Sequence, residues 1–244
     1  MGRVLEPEVM EGDDEAAAYD ELDRKWGDIL FQGFAEAALR MGVRRGRVLD
    51  VGTGSGRIAL RLARLNPELE IEGIDLSKSM LQLARENAAA ARISNVRFVE
   101  GDAKSIPYDD HSFDLVICHQ LLHQLPDPVL AVREINRVAK VEGAILIRDV
   151  WRLPKLLMEL ALPFWCIGYS PRLRTQTTAS FRAGLTFKEF RGLIDEVGIR
   201  RAVARRHLVT HQSIERPAIP FEVAVHRSLP RSSWVSQLMK APYA

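Results

Sequence analysis

The chain has 244 residues, enough to bury one large core, with 47% apolar and 27% charged residues, the balance of an ordinary soluble globular protein. Its formal charge of +2 gives no electrostatic case for a nucleic-acid partner, and its two cysteines, Cys118 and Cys166, exclude a disulfide framework or a cysteine-based metal cluster. The acidic N-terminus lacks a signal-peptide apolar segment; the longest apolar run, Leu156 to Tyr169, is broken by Glu159 and Pro163 and is too short to span a bilayer. A cytoplasmic protein is expected.

From Asp13 to Met41, the residues Tyr19, Leu22, Trp26, Ile29, Leu30 and Phe34 recur at three- and four-residue steps. That is an amphipathic helical pattern, broken near Gly27 or Gly33. A short apolar strand over Arg47–Val51 then runs into Gly52-Thr53-Gly54-Ser55-Gly56. A helix from Arg57 to Leu65 stops at Asn66-Pro67, and a second strand, Glu70–Leu76, carries Asp75 at its end. Alternating glycines let the backbone turn sharply and approach a ligand with no Cβ in the way. An acid at the tip of the next strand is the usual partner of ribose hydroxyls. A nucleoside-bearing cofactor is therefore expected. Gly54-Ser55-Gly56-Arg57-Ile58-Ala59 formally satisfies a dinucleotide pattern, but Asp50, two residues before Gly52, would face a pyrophosphate unfavourably. Beside a cationic ligand the same charge is attractive.

Ser77 is placed to cap a helix running through Ala84 to Ala91. A third strand from Val96 ends in Gly101-Asp102-Ala103, and a fourth, Phe113–His119, leads into Leu121–Pro128. Asp127 and Pro128 open a helix through Glu134 to Lys140, and a fifth strand covers Ala144 to Val150. This alternation argues for a parallel sheet with helices on both faces. Thr186 and Glu189 have capping-box spacing, and Gly198 can end the helix they open. Arg200–Leu208 and Phe221–Arg227 are expected to pair antiparallel across a connection containing Pro217 and Pro220.

The pattern Asp50-x-Gly52-x-Gly54-x-Gly56, with Asp75, Gly101-Asp102-Ala103 and this strand order, resembles class I S-adenosylmethionine-dependent methyltransferases, in their type 11 or ubiquinone-biosynthesis-like branch. The likeness is close over 45–150 and looser to 228. Val141-Glu142-Gly143 departs from the branch's Pro-Gly-Gly, in a turn away from the ligand. The resemblance implies a Rossmann-like α/β fold: a mostly parallel seven-stranded sheet with an antiparallel C-terminal strand and helices on both faces. It implies one domain over 1–244. Its parts are an N-terminal helical cap (1–44), a cofactor core (45–150), a substrate or lid insert (151–185), a helix and strand pair (186–228) and a tail (229–244).

S-adenosylmethionine is then the cofactor and S-adenosylhomocysteine the product. The resemblance gives Asp50, Gly52, Thr53, Gly54 and Gly56 to the glycine loop, and Asp75, Leu76 and Met80 to the ribose end. It gives Gly101, Asp102 and Ala103 to the adenine and His119 to the methionine end. Candidates for a catalytic base are His119 and His123, His being the side chain suited to that role near neutral pH; Tyr19 is a third candidate. His123 also has a packing role in the family. The two histidines are spaced like a metal pair, but no third ligand matches, and no metal is expected. Cys118 closes an apolar strand and reads as a core residue.

Trp26, Trp165, Arg172, Arg174 and Arg182 are the substrate candidates, because apolar walls with a few arginines suit a partly apolar, acidic molecule. In-line methyl transfer to a small acceptor is the expected function, by a monomer or homodimer. A nucleic-acid acceptor is disfavoured: no Asn-Pro-Pro-Tyr motif follows the fourth strand, which reads Cys118-His119-Gln120-Leu121, and no Pro-Cys pair is present. The alternatives are an RNA or protein methyltransferase, or a non-catalytic S-adenosylmethionine-binding protein.

Overall fold

The computed structural model describes residues 3–5, 31, 33–207 and 210–219. Five strands run parallel: Gly46–Val51 (β1), Leu69–Asp75 (β2), Val96–Glu100 (β3), Phe113–His119 (β4) and Ala139–Val150 (β5). Val203–His207 (β6) and His211–Arg216 (β7) complete a seven-stranded sheet of order β3-β2-β1-β4-β5-β7-β6, in which β7 is antiparallel to both neighbours. The helices are Gly33–Leu39 (α1), Arg57–Leu65 (α2), Lys78–Ala91 (α3), Pro128–Val138 (α4), Lys155–Trp165 (α5), Pro171–Ala183 (α6) and Phe187–Val197 (α7). The strand order reverses between β1 and β4. Ligands of open α/β sheets bind at such a point, beyond the carboxyl ends of the strands.

Side chains alternate across each central strand, so each strand feeds two cores. Val48, Leu115, Ile117 and Leu146 join Phe34, Ile58, Leu62 and Leu81 on the face covered by α1, α2 and α3. Leu49, Val51, Val116 and Cys118 join Ile135, Phe190 and Leu193 on the face covered by α4 and α7. Cys118 is wholly buried, and burial pushes its thiol pKa well up, so it packs as an inert core residue.

The helix starts follow the local chemistry. Ser77 Oγ accepts from Met80 N at 3.3 Å, and Asp127 Oδ1 accepts from Val129 N at 3.0 Å with Pro128 in the first turn. Thr186 and Glu189 form a reciprocal capping box, and Gly198 closes α7 at φ 75°. Helix α4 ends at Val138, two residues short of the expected Lys140, and β5 begins at once. The β4–β5 register jumps from Phe113↔Ala139 to Leu115↔Ala144, so 140–143 bulge out where a turn was expected.

The terminal strand pair needs correction. The partner of β6 is His211–Arg216, and the expected Phe221–Arg227 lies outside the described residues, as does Leu208. β7 escaped notice because it is polar. Gln212 and Ser213 are fully buried in it, Gln212 Nε2 donates to Leu185 O at 3.0 Å, and the Arg216 guanidinium donates to Gly143 O, Lys140 O and Asn136 Oδ1. Burial of such a strand rests on partners distant in sequence, which no alternation of apolar residues announces.

Candidate functional site

The glycine loop leaves β1 and is clamped from below and from the side. Gly54 N donates to Asp75 Oδ2 at 2.8 Å, and Ser77 N donates to Asp75 Oδ1 at 2.9 Å. Asp75 thus ties the β1–α2 turn to the start of α3. Burial pushes its carboxyl pKa up, against the lowering effect of these backbone N–H groups. Gly54 sits at φ 53°, and a Cβ there would meet no atom within 4 Å; it would project into open space. Gly56 is different: at φ 77°, its Cβ would lie 2.6 Å from the Phe98 ring, so this glycine serves close packing of α2 on the sheet.

That open space belongs to a cavity at the carboxyl ends of β1, β2 and β4. Gly52, Gly54, Asp75, Leu76 and Met80 line one side, Gly101, Asp102 and Ala103 the next, and His119 the floor. The structure therefore gathers nine of the residues expected at a cofactor site. Asp102 faces it from a short turn in which Oδ1 accepts from Lys104 N at 2.8 Å. Asp50, Thr53 and Gly56 do not line the cavity. Asp50 is buried beneath it, accepting from the Thr53 hydroxyl at 2.8 Å, and burial raises its carboxyl pKa to about 7 against the pull of that bond.

Four further lining residues were not singled out from the sequence: Gln120, Leu121, Gln124 and Leu125. Gln120 takes a left-handed backbone, φ 56°, and its side chain meets His211 Nε2 at 3.1 Å. A non-glycine in that region marks a constrained turn, as at Arg92, His111 and Arg201 elsewhere in the chain. Only the preceding strand end at His119 hinted at it.

The two candidate histidines are separated by the fold. His119 lies in the cavity against Phe34, 4.5 Å between ring centroids, with Phe31 and His211 beyond. Burial, then the charges of His211, Arg148 and His123, push its pKa well down, so the ring is neutral around pH 7. His123 points elsewhere. Its Nδ1 is 2.7 Å from Asp149 Oδ1 and its backbone N donates to Asp149 Oδ2, both groups fully enclosed. This pair pins the loop after β4 to the end of β5. Arg148, paired in register with His119, is also buried, and its pKa falls to about 10, leaving it cationic at neutral pH.

The substrate candidates are not brought to this cavity. Arg172, Arg174 and Arg182 are exposed, and the last two line a separate hollow of about 330 Å³ along α6 with Val4 and Leu5. The 3–5 segment links the two places: Arg3 donates to Ala183 O at 2.6 Å and to Leu122 O and His123 O at 2.9 and 2.8 Å. Tyr19, Trp26 and the side chain of Trp165 lie outside the described residues. Among the described residues no group of three or more His, Cys, Asp or Glu could hold a metal ion.

The lining of this cavity has the chemistry that S-adenosylmethionine calls for. Gly54 opens onto vacant space, a carboxylate at Asp75 and another at Asp102 face it, and Leu76, Met80 and Ala103 supply apolar walls.

Comparison with known proteins agrees with this geometry. A family model described as a methyltransferase domain matches residues 44–172. A curated demethylmenaquinone methyltransferase of Staphylococcus aureus is 43% identical over 109 residues, covering 43% of this chain and 44% of that one. The chain thus matches less than half the length of that relative. The fold resembles an S-adenosylmethionine-dependent methyltransferase of Aquifex aeolicus (TM-score 0.61, 19% identity, covering 84% of this chain and 98% of the other). It also resembles the plantazolicin methyltransferase BpumL, solved with S-adenosylhomocysteine (TM-score 0.66, 16% identity, covering 85% and 91%).

Proposed function

The chain belongs to the methyltransferase domain family, and from that premise we propose that it transfers a methyl group from S-adenosylmethionine to a small, partly apolar, acidic acceptor. The observation that carries the reading is the single cavity shared by Gly54, Asp75, Asp102 and His119.

When bound, S-adenosylmethionine supplies an electrophilic methyl carbon and departs as S-adenosylhomocysteine. Asp75 would accept from the ribose hydroxyls and Asp102 from the adenine amine. Gly54 allows close approach to its backbone. Leu76, Met80 and Leu125 exclude water from the walls. Asp50 sits below the loop and, when ionised, attracts a cationic ligand above it.

His119 is the residue best placed to take a proton from the acceptor, because its ring is in the cavity and neutral. The charge of Arg148 beside it favours an acceptor in its anionic form. The name of the curated relatives supports an acceptor with a quinone-class ring, reduced to a hydroxylated form whose proton can leave. His119, or water, would take the proton the acceptor gives up on methylation. His123, locked on Asp149, is a positioning residue that holds the loop carrying Gln120 and Gln124.

The test is calorimetric titration with S-adenosylhomocysteine, followed by transfer of labelled methyl from S-adenosylmethionine to reduced naphthoquinones, RNA and protein in parallel. Binding together with label in the naphthoquinone arm is the expected result. Label only in RNA or protein would overturn the acceptor class, and binding of NAD without S-adenosylhomocysteine would overturn the whole reading.

A further inference from the structure

The geometry points to a second contact surface: helix α5 lays the molecule on an anionic lipid bilayer. Thirteen large apolar side chains are exposed among the described residues, and five of them fall between 156 and 167. Leu156 (71% exposed), Leu160 (61%) and Phe164 (73%) follow one another at four-residue steps and so share one stripe of the helix. Leu157 flanks the stripe and Ile167 extends it past the helix end. The opposite side of α5 is already satisfied, with Met158 packed on Val150, Leu153 and Phe181. Contiguous apolar surface of this kind on a soluble protein marks an interaction site.

Length and charge select the occupant. At 1.5 Å per residue, the helix reaches about half the thickness of a hydrocarbon core, and no described helix is long and apolar enough to cross a membrane. It can lie on a bilayer, not span one. Between 151 and 185 the only acid is Glu159, whereas Arg172, Arg174 and Arg182 are exposed on the neighbouring α6. Arg174 donates to Cys166 O at 3.4 Å, which sets a cation at the carboxyl end of the apolar stripe, and that pairing matches a surface with acyl chains below and acidic headgroups above. None of this depends on the identity of the methyl acceptor.

The full chain should sediment with vesicles of phosphatidylglycerol and phosphatidylcholine in equal parts, less with phosphatidylcholine alone, and less in high salt. The double variant Leu160→Ser, Phe164→Ser should lose at least about tenfold in partition while its circular dichroism and Tm stay unchanged, since both side chains are exposed. Arg172→Gln with Arg174→Gln should reduce the preference for the anionic vesicles. No sedimentation by the unaltered chain, or equal sedimentation by the Leu160 and Phe164 variant, overturns the inference. So does a dimer in light scattering that the same variant converts to monomer without any vesicle binding, because the face is then an interface between copies.

Discussion

Gly54 in the glycine loop and Asp50 at the end of β1 beneath it carry different burdens. Gly54→Val has room in the unliganded fold, because nothing lies within 4 Å of its would-be Cβ, and costs about 1–2 kcal/mol for a side chain at φ 53°. It should leave a folded protein that no longer binds S-adenosylhomocysteine; calorimetry showing unchanged affinity would remove the loop from the site. Asp75→Ala should weaken that binding by about 1–3 kcal/mol and also loosen the loop it clamps, which thermal unfolding with and without ligand separates. Asp50 carries a pH signature. Its carboxyl pKa is raised from 3.8 to about 7 in the fold, so between those values the folded state holds a proton that the unfolded chain releases. Stability of the unliganded protein therefore falls as pH rises through that window, by up to about 4 kcal/mol, and levels off above it. Urea titrations between pH 4 and 8 should show this slope in the unaltered chain and a flatter profile in Asp50→Asn.

At the level of elements, local chemistry fixed the helix starts. Thr186→Ala removes the oxygen that accepts from Glu189 N while the backbone N–H of residue 186 still donates to Glu189 Oε2, so half of the capping box is lost and it should cost about 1 kcal/mol in urea unfolding. Cofactor affinity should not change, because α7 packs behind the sheet on α4 and contributes no cavity residue. Caps of this kind are legible in a sequence because donor and acceptor lie within a few residues. β7 is the contrary case. Its burial depends on pairing with β5 and β6 and on Gln212 reaching Leu185, contacts that span 27 residues or more except at the β6 turn. Helix α5 is similar: its sequence shows only an apolar run broken by Glu159 and Pro163, and which of its faces turns inward was set by Val150, Leu153 and Phe181.

Across the whole molecule, Arg216 ties the last strand to the bulge of β5 and to α4 through three acceptors. Burial lowers its pKa to about 10, yet it remains charged at neutral pH. Arg216→Ala should cost about 2–4 kcal/mol, because it strands buried carbonyls as well as losing charge-assisted bonds. A drop in the urea midpoint of less than a tenth of its value would show that water replaces the guanidinium without penalty. The seven-stranded order itself places the reversal point between β1 and β4, and with it the cavity.

The sequence by itself determined the glycine loop, the acid at the end of β2, the Gly101-Asp102-Ala103 turn and the capped helices. Each of these is a short-range pattern in which neighbouring residues already dictate the backbone and its hydrogen bonds. Tertiary structure decided the rest. His119 and His123 stand four positions apart, yet one faces the cavity and the other is held by Asp149, 26 residues away. Arg148 became a buried charge only through the β4–β5 register, while Arg172, Arg174 and Arg182, equally basic in sequence, came to lie outside the cavity. The direction of a side chain from a loop or a polar strand depends on what packs against it from far along the chain, and spacing carries no record of that.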